Sequence, residues 1–443
     1  MGLSSSGPSQ TIAVSLAGLV AVSGYGGIVP ILVCFVPMLG IAIGYQRLNR
    51  WDQSAGATYT WVAKVFHPYL GFLAGWMILL YYTLGTTTLT IPAGIYTLEL
   101  LAPTRVDDHL AIFAVGALWN ALITVLAIVG LKLVARFEWV IVVFEYAVLL
   151  LAAIVACVAL ARGHTASSFS WRWFSWDGVG HMKGLMGGIL IACFMYSGWD
   201  AAVYVNEETS DRATNPGRAA LASVVLLAIL YALAIFAFQT ILSPDELQSH
   251  AGNALAAVGA KLLPPPWNAA MALVVLTGTL ASLQSAVISA TRMGHAMSRD
   301  RVMPGYFLRG IHRRGGLWAA TLTMSAVNLA LLALALGTSG VAAALTNAAS
   351  SLGLICLVFY ALTAAAAVWQ QRSTLTASPG NAVLGGVLPS IGVIFGIWVL
   401  VESVVSGAVT AAVLAYGLGS ILVGALVAVF LHRVRRVAFF LED

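Results

Sequence analysis

The sequence predicts an all-α polytopic membrane protein of twelve transmembrane segments, the first partial and two of them, the first and the sixth, discontinuous. Three observations carry this. Hydrophobic residues make up 60% of the 443 positions and charged ones only 9%, with a mean hydropathy of +0.92, a balance unlike that of any soluble domain of this length. The apolar residues gather in twelve runs, at 11–24, 28–46, 70–100, 110–131, 138–161, 185–206, 218–242, 267–297, 317–336, 341–370, 382–404 and 408–431, most of them able to supply the ~20 residues that cross a bilayer. Of the 22 basic residues all but Arg218, at the start of a run, and Arg292 fall between these runs, and they are sorted by side. With the 47–69 loop cytoplasmic, seventeen of them, Arg313 and Arg314 included, lie inside, and only Arg105, Arg162, Arg172, Lys183 and Lys261 lie outside. That bias fixes the orientation and puts the C-terminus in the cytoplasm of a cell bounded by this membrane.

The loops are short, so residues 1–443 read as a single membrane domain with the lipid bilayer as its surroundings. A pI of about 9.1 and a net charge of +5 do not point to nucleic acid, because the positive charge flanks the apolar runs. Cys34, Cys157, Cys193 and Cys356 lie within apolar runs and lack metal-ligand spacing, so they read as buried thiols. No nucleophile–base set, metal cluster or phosphate loop is present in the sequence. The expectation is a protein that is not an enzyme, with no cofactor and no metal.

The first run, 11–24, is too short to span. Gly24-Tyr25-Gly26-Gly27 and Pro30 keep it from merging with the second. With its C-terminal end outside, the polar stretch Ser4 to Gln10 falls about halfway through the membrane, where polar backbone survives only inside protein or beside a cavity. The expected completion of the span is an upstream half-helix, within about fifteen to thirty residues preceding Met1. The sixth run repeats the anomaly. It carries Phe194-Met195-Tyr196-Ser197-Gly198-Trp199-Asp200 at its centre, although Gly is a poor helix former and Asp at bilayer depth costs at least ~2.5 kcal/mol. It reads as a helix broken near the midplane around a solute site, or else as a kinked packing helix whose Asp is paired internally. Two polar interruptions five helices apart, hence in opposite orientations, are the mark of an inverted-repeat secondary transporter.

Four features resemble the amino acid–polyamine–organocation permeases. Gln53-Ser54-Ala55-Gly56-Ala57-Thr58-Tyr59 is similar to the family's S-A-G-x-x-Y segment after the second helix. Tyr196-Ser197-Gly198-Trp199, with Glu207-Glu208-Thr209 and Asn215-Pro216, is similar to the sixth-helix signature, and Ser298-Arg299-Asp300-Arg301-Val302-Met303-Pro304 to the A-R-D-G-x-x-P segment after the eighth. The twelve-segment layout is the fourth. The departure is the first break, which reads Ser6-Gly7-Pro8-Ser9 in place of G-x-G. The resemblance implies a five-plus-five inverted-repeat core, with residues 1–161 and 185–370 as the repeats and 382–431 as helices 11 and 12.

The resemblance further implies that a substrate's carboxylate and amino group bind at the two breaks. Helix-end physics agrees. A half-helix opening at Thr11 presents free amides to an anion, which makes the Ser9, Gln10 and Thr11 amides the carboxylate candidates, with Ser6 and Gly7 as further substrate-binding candidates at the break, while Pro8 has no N–H. Freed carbonyls at Ser197 and Gly198 suit an ammonium group, with Phe194, Trp199, Asp200 and Tyr82 around them, and Tyr81 beside Tyr82, with Gly85-Thr86-Thr87-Thr88 one turn on, as further candidates to face the site. Ser285 and Ser289 share the face of the eighth run that the family uses near its ion site. Glu145, in the fifth run, stands where some relatives hold a lysine, and is a candidate proton-coupling group or cation site. Glu207 and Glu208 are candidates for an inner gate paired with arginines. The reading is an importer of amino acids, coupled to protons or to sodium. The alternatives are a polyamine or organic-cation importer of the same fold and a non-transporting membrane sensor.

Overall fold

In a computed structural model the described residues are 2–129, 131–310, 317–338 and 341–441. Met1, Arg313, Arg314 and the side chains of Lys132 and Arg136 lie outside them. Among the described residues the chain is helix and loop, with no strand. Its helices are α1 (Gly2–Ser6), α2 (Pro8–Ser23), α3 (Ile28–Trp51), α4 (Thr58–Val65), α5 (Pro68–Leu101), α6 (His109–Val129) and α7 (Leu131–Ala161). After the short α8 (Trp176–Val179) come α9 (Met182–Met195), α10 (Ala201–Tyr204) and α11 (Asn215–Phe238). The outer-loop helices α12 (Pro244–Ser249) and α13 (Ala254–Leu262) precede α14 (Ala269–Arg299), α15 (Trp318–Thr338) and α16 (Val341–Gln371). The short α17 (Pro379–Asn381), α18 (Leu388–Val405) and α19 (Ala411–Arg433) complete the chain.

Ten stretches among the described residues are long and apolar enough to cross a membrane. One of them, Gly2–Trp51, contains two of the predicted runs, separated at the 3-10 turn Gly24–Gly27 that Gly24 enters with φ +55°. The sixth run appears as two pieces, α9 and α10, each too short to cross alone. Every predicted run is thus a helix, and the fold is an all-α twelve-segment bundle with its first and sixth segments broken.

The first break differs in detail from the expectation. The half-helix opens at Pro8, not Thr11, and Ser4, Ser5 and Ser6 are themselves helical. Proline at the first helical position gives up an amide that would have had no partner and brings φ already set. Gly7, at φ +41°, supplies the left-handed turn before it. Ser4 is buried, so the stretch is packed in protein and not frayed into solvent. The Ser4 carbonyl accepts from Ser282 Oγ at 2.7 Å, and its hydroxyl lies 3.2 Å from Ser285 Oγ.

The long α14 packs along α5, α11 along α3, and α16 against α5, α9 and α18. Broken helices α2 and α9 lie side by side inside this ring. Lipid-facing helices α6, α7 and α18 expose their apolar residues, as a bilayer requires. One group of polar side chains within the bundle is paired across helices. Asn328 donates to Asn120 at 2.8 Å and to Thr90 at 2.9 Å, and Asn120 to Ser325 at 2.7 Å. This joins α5, α6 and α15. Cys34, Cys193 and Cys356 are buried free thiols, and Cys157 is partly buried.

Candidate functional site

The two breaks meet. Gly198 has φ +90°, and a Cβ built on it would lie 2.9 Å from the Ser5 carbonyl oxygen and 3.2 Å from Ser6 Cα. Only glycine combines that backbone geometry with so close an approach. Between the breaks, α5 and α14 is a cavity of about 30 Å³, lined on one side by Ser5, Ser6, Gln10 and Thr11 and on another by Phe194, Ser197 and Gly198. Tyr81, Tyr82, Gly85, Thr88 and Leu89 of α5, with Ala286 of α14, complete the wall. The volume accommodates about one water, so a larger solute fits only when the walls part.

Of the predicted binding residues, Ser6, Gln10, Thr11, Tyr82, Phe194, Ser197 and Gly198 line this cavity. Gly7, Ser9, Trp199 and Asp200 stand behind the lining. Sequence reading of the site omitted Ser5, Leu89, Ala286 and, behind the wall, Tyr360. Ser5 carries a useful signal in hindsight, since its buried hydroxyl has no internal partner. Tyr81 hydrogen-bonds Ser197, whose hydroxyl also donates to the Phe194 carbonyl.

Asp200 is fully buried and held by three tyrosines. Its Oδ1 accepts from Tyr82 at 3.1 Å and Tyr360 at 2.9 Å, and its Oδ2 from Tyr204 at 2.8 Å. Internal pairing, weighed above as the plainer reading, is therefore present. One of the three donors, Tyr82, is also a cavity wall, so Asp200 supports the site from beneath. Trp199 packs edge-on against Tyr45 at 5.0 Å and stacks on Tyr360 at 5.1 Å.

Glu145 reaches the first break. Its Oε1 accepts from the Ser9 amide at 2.8 Å and the Ser9 hydroxyl at 2.6 Å, while Oε2 has no partner. This revises the amide inventory at the half-helix. The Ser9 N–H belongs to Glu145, and the Thr11 N–H closes a bond to the Gly7 carbonyl at 2.8 Å. Of the three candidate amides, Gln10's is the one without such a bond. Ser285 meets α1 through Ser4. Ser289, one turn further, is buried with its hydroxyl unpaired.

At the basic end of the bundle the three resembling segments converge. Glu207 accepts from the Ala55 amide at 2.9 Å and pairs with Arg299 at 3.2 Å. Glu208 pairs with Arg292 at 2.8 Å, and Tyr59 donates to Asp300 at 2.6 Å. Partial burial works to raise the Glu207 pKa, but the Ala55 amide and Arg299 outweigh it and hold the carboxyl below its ordinary range.

A bundle of this architecture, with two helices broken against each other around a buried polar cavity, is a permease fold. The chain belongs to the family described as Amino acid permease, whose profile matches residues 3–415. It is 29% identical over 303 residues to the low-affinity putrescine importer PlaP of Escherichia coli K12, covering 65% of this chain and 62% of that protein. It is 26% identical over 283 residues to the human large neutral amino acids transporter small subunit 2, covering 62% and 51% of the two chains. The alignments thus span less than two thirds of either relative. Among solved structures, the manganese transporter of Eremococcus coleocola, crystallised with an aromatic bis-isothiourea substituted compound, matches with a TM-score of 0.55 at 15% identity. The match covers 96% of this chain and 95% of that one, a likeness of fold.

Proposed function

We propose that the protein is a secondary active transporter that imports amino acids across the cytoplasmic membrane, with its C-terminus in the cytoplasm, by alternating access around the broken first and sixth segments. The observation that carries this is the abutment of Gly198 on Ser5 and Ser6 at the wall of a buried polar cavity. Half-helix ends that meet there offer amide and carbonyl groups to a zwitterion. In this reading residues 1–161 and 185–370 are the two inverted repeats. The Glu207–Arg299 and Glu208–Arg292 pairs form the inner gate, which must separate for release inward.

Coupling is assigned to a proton at Glu145, with sodium as the alternative ion. Glu145 ties the fifth segment to the first break through Ser9, so a change at its free Oε2 is felt where substrate binds. Ser285 and Ser289 support the same helix face, and Asp200 is the second candidate acid. Uptake of labelled amino acids into proteoliposomes, with and without a pH gradient, tests the proposal. The absence of uptake for every solute tried would favour the sensor reading.

A second reading, import of amines, is favoured by one feature. Among the described residues, no Lys, Arg or His lines the cavity. The acids Asp200 and Glu145 lie behind its wall, and Glu145 already occupies the Ser9 amide. Such a site suits an ammonium group better than a carboxylate. Comparing arginine with agmatine, which lacks only the carboxylate, separates the two. Preference for agmatine selects the amine reading, and preference for arginine the amino acid reading.

A further inference from the structure

A second cavity, of about 470 Å³, opens at the basic end of the bundle between the ends of α3 and α16, and the proposed transport cycle makes no use of it. Arg47 and Arg50 of α3 line it together with Trp51, Gln371, Ser373 and Asn381. The two arginines are three residues apart and so share a helix face. No Asp or Glu is among the described lining residues. The nearest acid in sequence, Asp52, is already engaged by Lys64 at 2.5 Å. Among the described residues, the positive charge in this cleft therefore has no counter-ion.

The cleft is also built. Arg47 is partly buried and its guanidinium is fixed by neutral acceptors, Gln371 and, at 3.4 Å, Asn381. Gly385, in the π-helical turn Ala382–Val387, keeps the space open for that arrangement. A Cβ there would fall 2.8 Å from Gln371 Oε1 and 3.0 Å from Arg47 Nη1. Trp51 at the rim is exposed, and Arg372 lies 4.8 Å over the ring of exposed Trp369. Tryptophans so placed mark headgroup depth. Just past Asn381, Val383, Leu384 and Val387 expose 47%, 43% and 54% of their surface, an apolar track adjoining a cationic cleft.

We propose that this cleft binds the phosphate headgroup of an anionic phospholipid, with an acyl chain lying along Val383, Leu384 and Val387. Arg47 and Arg50 supply the charge and the forked donors that suit a phosphate diester. The apolar track favours a lipid over a free anion. Binding in this cleft would bridge α3 to the α16–α18 connection.

The test is thermal unfolding of the purified full chain in detergent, titrated with phosphatidylglycerol, phosphatidylcholine or glycerol 3-phosphate. Phosphatidylglycerol is expected to raise the midpoint, and the other two are not. Each arginine near an anionic headgroup is worth about fivefold in affinity, so Arg47→Gln with Arg50→Gln should shift half-saturation by about twenty-fivefold. Arg433→Gln with Arg435→Gln removes the same charge elsewhere and should behave as the parent. Arg50→Gln alone is the milder variant, because Arg50 is exposed and forms no ion pair among the described residues; it should cost about fivefold. The proposal is overturned if glycerol 3-phosphate or phosphatidylcholine stabilises as well as phosphatidylglycerol. It is also overturned if the control pair loses as much, or if Arg50→Gln leaves the titration unchanged.

Discussion

Replacing Glu145 by glutamine should separate ion coupling from substrate movement. The two side chains have nearly the same shape, and the glutamine oxygen can accept the same bonds from the Ser9 amide and hydroxyl, at 2.8 and 2.6 Å. The difference falls on the second oxygen, which has no partner and becomes an NH2 group. An unpaired buried donor costs about 1–3 kcal/mol, so the variant should fold with at most that loss. Glu145→Ala also strands the Ser9 amide and should lose about 3 kcal/mol or more. Coupling has its own magnitude. A pH difference of about one unit is worth about 1.4 kcal/mol per proton, so a one-proton symporter accumulates substrate about tenfold. In proteoliposomes with an alkaline interior, the parent should approach tenfold accumulation, and Glu145→Gln should stop at equal concentrations. Exchange of labelled for unlabelled substrate moves no net proton and should persist in the variant. If Glu145→Gln accumulates substrate as the parent does, Glu145 is a structural cap on α2, and Asp200 becomes the next candidate for the proton.

Asp200→Asn keeps an acceptor for two tyrosine hydroxyls and turns an NH2 group toward the third. We expect KM to rise about tenfold with a stability loss below about 3 kcal/mol, and unchanged transport across about pH 5 to 8 would make Asp200 a packing residue. Gly198→Ala forces a side chain at φ +90° against the Ser5 carbonyl. It should cost about 1–3 kcal/mol in thermal unfolding, whereas Gly85→Ala, which meets nothing within 4 Å, should cost nothing. Glu207 has a depressed pKa, so its contribution to the proposed inner gate is complete above the ordinary glutamate range. That contribution is lost as pH falls through the lowered value. Labelling of a Ser6→Cys variant from the basic side should therefore rise in strong acid, and Glu207→Gln should remove that pH dependence; labelling that ignores pH in both proteins counts against a gate at Glu207.

The sequence shows the breaks because they violate two local rules at once. Glycine and polar residues interrupt apolar runs at Gly7 and Gly198, and both prove to be left-handed. The exact opening of the half-helix was misplaced by three residues because the Ser4–Ser6 stretch looks too polar for a buried helix. The Ser4 hydroxyl meets Ser285 of α14 and the Ser6 hydroxyl donates to the Gly2 carbonyl, pairings that no local pattern reveals. The partners of the buried acids were equally hidden. Tyr204 lies one helical turn from Asp200, but Tyr82 and Tyr360 are more than a hundred residues away in sequence. Glu145 likewise finds Ser9 136 positions upstream. Such pairings depend on which helices become neighbours, and apolar periodicity in a membrane bundle says little about that.

The contact of Gly198 with Ser5 and Ser6 also divides the site into parts that can and cannot be varied. Backbone meets backbone there, so no side chain can be introduced at position 198 without moving the first segment. In the proposed reading, recognition by the break itself is therefore generic, a property of main-chain dipoles shared by any solute with the right polar end. The same reading leaves discrimination to the side chains that line the cavity around it, Tyr81, Thr88 and Leu89 on α5 and Phe194 on α9. A library that randomises those four positions explores substrate choice without touching the hinge, and the same freedom is open to natural drift.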